Sequence, residues 1–123
     1  MSLEVQFTEE NTHLSVKAAG QYRLADLSDL LDRARDEAEK RGLEKVLLDI
    51  SEVAGSVPLL DMLVLGEHCA RTWKRWTKVA VVSREGGIDR FFENVVCNRG
   101  LCLAVVLNHV AASEWLIHHG CPD

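Results

Sequence analysis

The sequence predicts an α/β protein with a mixed, mostly parallel five-stranded sheet, its elements in the order ββαβαβαβα along a right-handed βα superhelix. Three observations predict it. The runs KVLLDI (45–50), KVAVV (78–82) and CLAVVL (102–107) are apolar, too brief for helices and rich in strand formers. Between them, apolar residues recur at helical spacing. Strands that alternate with helices need crossovers, and these are right-handed in nearly all cases.

Each element has its own signal. EVQF and HLSVKAAG, separated by the polar TEENT, form a hairpin: Val5 and Phe7 alternate in the first strand, Leu14, Val16 and Ala18 in the second. The first helix spans about Asp26 to Arg41, with Leu27, Leu30, Leu31, Ala34 and Ala38 on one face and Gly42 as a left-handed stop. KVLLDI is the buried central strand, ending near Asp49, and SEVAGSV reads as the loop after it. Pro58 then suits the first turn of the second helix, because its missing N–H has no helical partner to lose. After KVAVV, Gly86-Gly87 breaks the chain and a third helix runs from about Ile88 to Arg99, with Gly100 as its stop. Asn108 caps a last helix in which Ala112, Trp115 and Leu116 recur at helical spacing.

The second helix carries an irregularity. On a wheel of about 100° per residue, Asp61, Glu67, His68, Arg71, Lys74 and Arg75 share one arc. Leu59, Met62, Leu63, Gly66, Cys69, Ala70 and Trp73 lie opposite. Val57, Leu60 and Val64 fall within the polar arc, so the first two turns are apolar nearly all round. Those three side chains are expected to be exposed and to need a cover beyond the sheet.

With 123 residues and 47% hydrophobic content, the chain is read as a single domain (1–123) that needs neither disulfide nor metal to bury a core. No apolar run reaches the roughly 20 residues of a membrane span, and MSLEVQF lacks a signal-peptide pattern, so a cytoplasmic protein is expected. A net charge of −5 argues against nucleic acid as a partner, whose binding rests on phosphate neutralisation. Locally, Arg71, Lys74, Arg75, Lys78 and Arg84 cluster beside Trp73 and Trp76. This is either a solvated helix end or an edge that meets an anionic inner-membrane surface or an acidic partner. Cys69, Cys97, Cys102 and Cys121 show no C-x-x-C spacing and read as free thiols. The adjacent His118 and His119 beside Cys121 do not make a metal site, because neighbouring histidines rarely aim at one ion.

Catalytic patterns are missing. Ser51 and Ser56 are followed by no nucleophile elbow, and the histidines at 13, 68, 109, 118 and 119 are scattered. Asp49 stands at the end of the central strand, where α/β proteins place functional groups, yet no second carboxylate or histidine converges on it in the pattern. Gly86-Gly87 before a helix reads as turn chemistry, since neither G-x-G-x-x-G nor a Walker lysine accompanies it. The chain is therefore read as a non-enzyme without a cofactor.

The element order, LLDIS at the strand end, the helix opening at Pro58, KVAVV and the closing AASEWL together resemble the SpoIIAA-like family, related in fold to STAS and CRAL-TRIO domains. The resemblance implies two functions. In STAS regulators a serine within D-S-S-G, at the start of the helix after the central strand, is phosphorylated and switches protein binding. Ungapped matching from Asp49 brings Pro58-Leu59 to that serine pair, and a shift of two or three residues brings Ser56 there instead. Stand-alone SpoIIAA-like proteins look instead like membrane-associating carriers of apolar ligands. The main expectation is binding of an apolar small molecule or lipid by Ser56, Val57, Leu60, Met62, Leu63 and Val64, with Gly55 as the hinge. Arg71, Trp73, Arg75 and Trp76 would form a membrane or partner edge. The alternatives are a STAS-type protein regulator and a homodimer that covers the same apolar patch.

Overall fold

A computed structural model describes residues 3–118. The order is β1 (Glu4–Glu9), β2 (Leu14–Gln21), α1 (Leu24–Arg41), β3 (Lys45–Ala54), α2 (Leu59–Thr72), β4 (Lys78–Val82), α3 (Arg90–Asn98), β5 (Cys102–Val106) and α4 (His109–His118). The five strands lie side by side in sequence order. β1 runs antiparallel to β2, and the other neighbours are parallel. This is the architecture expected from the sequence.

Helices cover the sheet unequally. α1, α2 and α3 bury Leu30, Leu65, Phe92 and Val96 against Val46, Leu48, Val79 and Val81 on one face. α4 alone seals Leu47, Ala80 and Val82 on the other with Ala112 and Leu116. The alternation of strand side chains sorts the residues of β3 between these two layers. At Gly66 a Cβ would come within 2.7 Å of Val95 Cγ1, so a glycine in the middle of α2 is what allows α3 to approach.

Capping explains most boundaries. Gly42 takes φ 69° and its N–H reaches back to the α1 carbonyls, as expected of a left-handed stop. Asp89 accepts from the Phe91 N–H at 2.9 Å and starts α3 two residues later than the sequence suggests. Asn108 Oδ1 accepts from Ala111 N–H at 2.8 Å at the head of α4.

The largest departure is β3. It continues through SEVA to Ala54, where a loop was expected, because β2 is long enough to pair with it as far as Gln21. Lys17 pairs with Asp49 and Ala19 with Glu52, so β3 carries one residue more than β2 across that step, a bulge. Asp49 is consequently mid-strand, level with Val82 at the end of β4. Of the cysteines expected to be free thiols, Cys69 is free and buried and Cys97 free but exposed, whereas Cys102 departs from the expectation in being disulfide-bonded.

Candidate functional site

Two neighbourhoods concentrate exposed or reactive groups. The first is the entrance to α2. Leu60 is 74% exposed and Val64 52%, as their places on the wheel require. Val57 is buried instead: its N–H donates to Gly86 O at 3.2 Å, and the extended chain before the helix turns its side chain into the core. Leu59, on the core-facing arc of the wheel, is instead 58% exposed at the first position of α2. Leu65, absent from either expected arc, is fully buried. Met62 is core and Leu63 half-buried. The resulting patch is Leu59, Leu60 and Val64, with exposed Ser56 on the loop ahead of it.

That loop is held firmly. Arg84 donates from Nε to Val53 O and from an Nη to Gly55 O, both at 3.0 Å, and from its other Nη to Glu85 O. Tyr22 N–H donates to Ala54 O at 2.7 Å, and Tyr22 Oη to Asp61 Oδ2 at 2.8 Å. Burial, then the bond to Asp61, pushes the Tyr22 hydroxyl pKa far above its ordinary value. Gly55 adopts φ 102°, a conformation that suits glycine, but these bonds fix it as a turn rather than a free hinge. Beneath, the apolar space bordered by Leu31, Ile50, Leu65, Ile88 and Phe92 amounts to about 10 Å³. None of the six residues expected to bind a ligand lines it.

The expected basic edge is only partly assembled. Arg71, Arg75 and Trp76 are exposed, and Lys74 Nζ lies 5.5 Å from the Trp76 ring. Trp73, expected beside them, is buried as the residue that ends α2, facing the core. Lys78 is buried too and donates to Leu116 O, and Arg84 is committed to the loop. His119, Gly120 and Cys121 lie outside the described residues. Among the described residues no three potential ligands gather to hold a metal ion.

The second neighbourhood is built on Asp49, which the sequence singles out, and on a histidine that does converge on it, contrary to expectation. Asp49, its side chain 5% exposed, accepts from Ser51 N–H at 2.9 Å and Ser51 Oγ at 2.6 Å on Oδ1. Its Oδ2 meets His109 Nε2 at 2.6 Å. The bulge in β3 sets Ser51 beside Asp49, and α4, folded back over β3 to β5, delivers His109 from 60 residues away. Burial alone would push the Asp49 carboxyl up. The hydrogen bonds from Ser51 and His109 outweigh it and hold the group below its ordinary value. An ionised carboxylate only accepts, so His109 donates from Nε2 and, as neutral imidazole, carries its lone pair on Nδ1. Ser51 and His109 both bind the carboxylate instead of forming a Ser-His-Asp relay, so Ser51 is not an activated nucleophile.

No protein-family profile and no curated protein matches the sequence. Solved structures do match in shape. An anti-sigma factor antagonist from Mycobacterium paratuberculosis superposes with a TM-score of 0.62 at 15% identity, over 94% of this chain and 95% of that one. An uncharacterised protein with a SpoIIAA-like fold from Shewanella loihica gives 0.51 at 21% identity, over 94% and 93%. Near-complete coverage of both chains, with the element order and sheet described above, identifies this chain as SpoIIAA-like in fold.

Proposed function

We propose that this chain is a non-enzymatic, protein-binding regulator of the anti-sigma-antagonist kind, which engages its partner through the start of α2 and the loop before it. The carrying observation is the patch of Leu59, Leu60 and Val64 on a pinned backbone. Adjacent exposed aliphatic side chains favour a partner. A preformed loop lowers the ordering cost of docking, which otherwise offsets much of the gain from burial. The fold it shares with an anti-sigma factor antagonist supports the same reading. The carrier reading draws no comparable support, since about 10 Å³ beneath the loop cannot house an acyl chain. Ser56 is exposed close to the patch, and a phosphate there would set negative charge beside Leu60 and oppose an apolar contact.

A photoreactive benzoylphenylalanine at position 60, activated in the native cells, tests this directly. The expected product is an adduct with one heterologous protein. Leu60→Asp should weaken binding of that protein at least about ten-fold, as for other central apolar anchors. An adduct between two copies of this chain would make the patch a dimer face, and a phospholipid adduct would restore the carrier; either result overturns the proposal.

A further inference from the structure

The Asp49–His109 pair has no part in partner binding at α2. It lies on the α4 side of the sheet, whereas α2 packs on the other side. We infer that His109 is a phosphoryl acceptor, taking the group on Nδ1 from a donor of the phosphoramidate class, such as a phosphohistidine.

The geometry supplies what such an acceptor needs. A nearly buried carboxylate fixes the ring through Nε2, sets the tautomer and stabilises the positive charge that develops when Nδ1 attacks. The His109 side chain is itself 57% exposed, so a bulky donor can reach it. His109 opens α4, where Asn108 takes the N–H groups of Ala111 and Ala112 through its side chain and carbonyl. The N–H groups of His109 and Val110 remain at the positive end of the helix for the incoming anion. The surrounding groove, about 350 Å³ and bordered by Val110, Ser113, Glu114, Ile117 and His118, is open to water, and the Glu114 carboxylate is the one acid on its rim. That suits an N-phosphoryl group, which persists in neutral water, better than an acyl intermediate, which needs a dry pocket with an oxyanion hole.

The step balances without a further reagent. The Nδ1 lone pair forms the N–P bond as the donor's P–N bond breaks. The donor nitrogen leaves with the bonding pair and the proton it carried, as ammonia from phosphoramidate or neutral imidazole from phosphohistidine. The His109 ring becomes an N-phosphoimidazolium, whose Nε2–H stays hydrogen-bonded to Asp49. His68 provides an internal control: its Nε2 also meets a carboxylate, Asp32 at 2.7 Å, but it is only 25% exposed and sits in mid-helix.

The purified full chain is treated with potassium phosphoramidate at neutral pH and followed by intact mass, phosphorus NMR and peptide mapping. One acid-labile phosphoryl group is expected on Nδ1 of His109, formed at least about ten-fold faster than at any other histidine. Asp49→Asn should slow it about ten-fold or more, the scale on which groups that orient a reacting histidine act. His109→Gln removes an exposed side chain and should abolish the adduct in a protein that still folds. If His109 serves only to satisfy a buried carboxylate, phosphate will spread evenly over the histidines, appear on Nε2, or fail to form. Any of these sinks the inference, whether or not the Asp49→Asn protein folds.

Discussion

Asp49 shows how one buried carboxylate governs its surroundings. Its four-residue path from Lys45 is easy to read as a strand, but its partners are not, because His109 lies 60 positions downstream and no local spacing encodes that meeting. Only Ser51, two residues on, could have signalled an unusual backbone. The burden on Asp49 has a measurable consequence. Its folded pKa lies below the ordinary 3.8, since hydrogen bonds overcome desolvation, so folding favours the ionised form. This stabilisation is fully present above the unfolded pKa and disappears as pH falls through the folded one. Urea titrations between neutral pH and about pH 2 should show the wild type losing stability below about pH 4. Asp49→Asn should be weaker at neutrality and flatter on that acid limb. A parallel acid limb in the variant would assign the loss to other carboxylates.

Among the elements, local chemistry was legible wherever it determined the outcome. Gly42 and Asn108 mark their helix ends because their side chains, or the lack of one, satisfy exposed backbone groups nearby. β3 runs past the strand the sequence predicts because SEVA has no strong strand signal of its own and owes its conformation to pairing with β2. Val57 and Leu59 exchanged places for a related reason. A helical wheel assumes that the helix has begun, yet Val57 lies in the extended approach to Pro58 and points inward there. Arg84, read as one charge in a basic cluster, instead ties the turns after β3 and β4 together. Arg84→Ala should cost about 1.5–3 kcal/mol, the range for hydrogen bonds from a charged donor. Hydrogen exchange should show faster labelling confined to residues 53–58 and 84–87. Unchanged exchange there would mean that Tyr22 and Gly86 suffice to hold the loop.

For the whole molecule, the open sides of the sheet matter most. β5 is an edge strand, and an unpaired edge invites a strand from another chain. α3 shields it: Glu93 Oε1 accepts from Val105 N–H at 2.8 Å, and Cys97 Sγ donates to Leu103 O at 3.1 Å. Glu93→Ala frees that N–H and should produce concentration-dependent association in light scattering while the monomer fold persists. A variant that stays monomeric at the highest accessible concentration would show that the brevity of β5 is protection enough. The remaining edge, β1, presents alternating polar side chains such as Glu4, Gln6 and Thr8.

The strand order has one more consequence. Every strand settles next to the one synthesised immediately before it, so no part of the sheet waits for a segment still inside the ribosome. A nascent chain can zip up progressively from its hairpin, with short closures at each stage and little time spent with a bare apolar seam. Only α4, the lid over the rear face that carries His109 to Asp49, follows the last strand of the sheet.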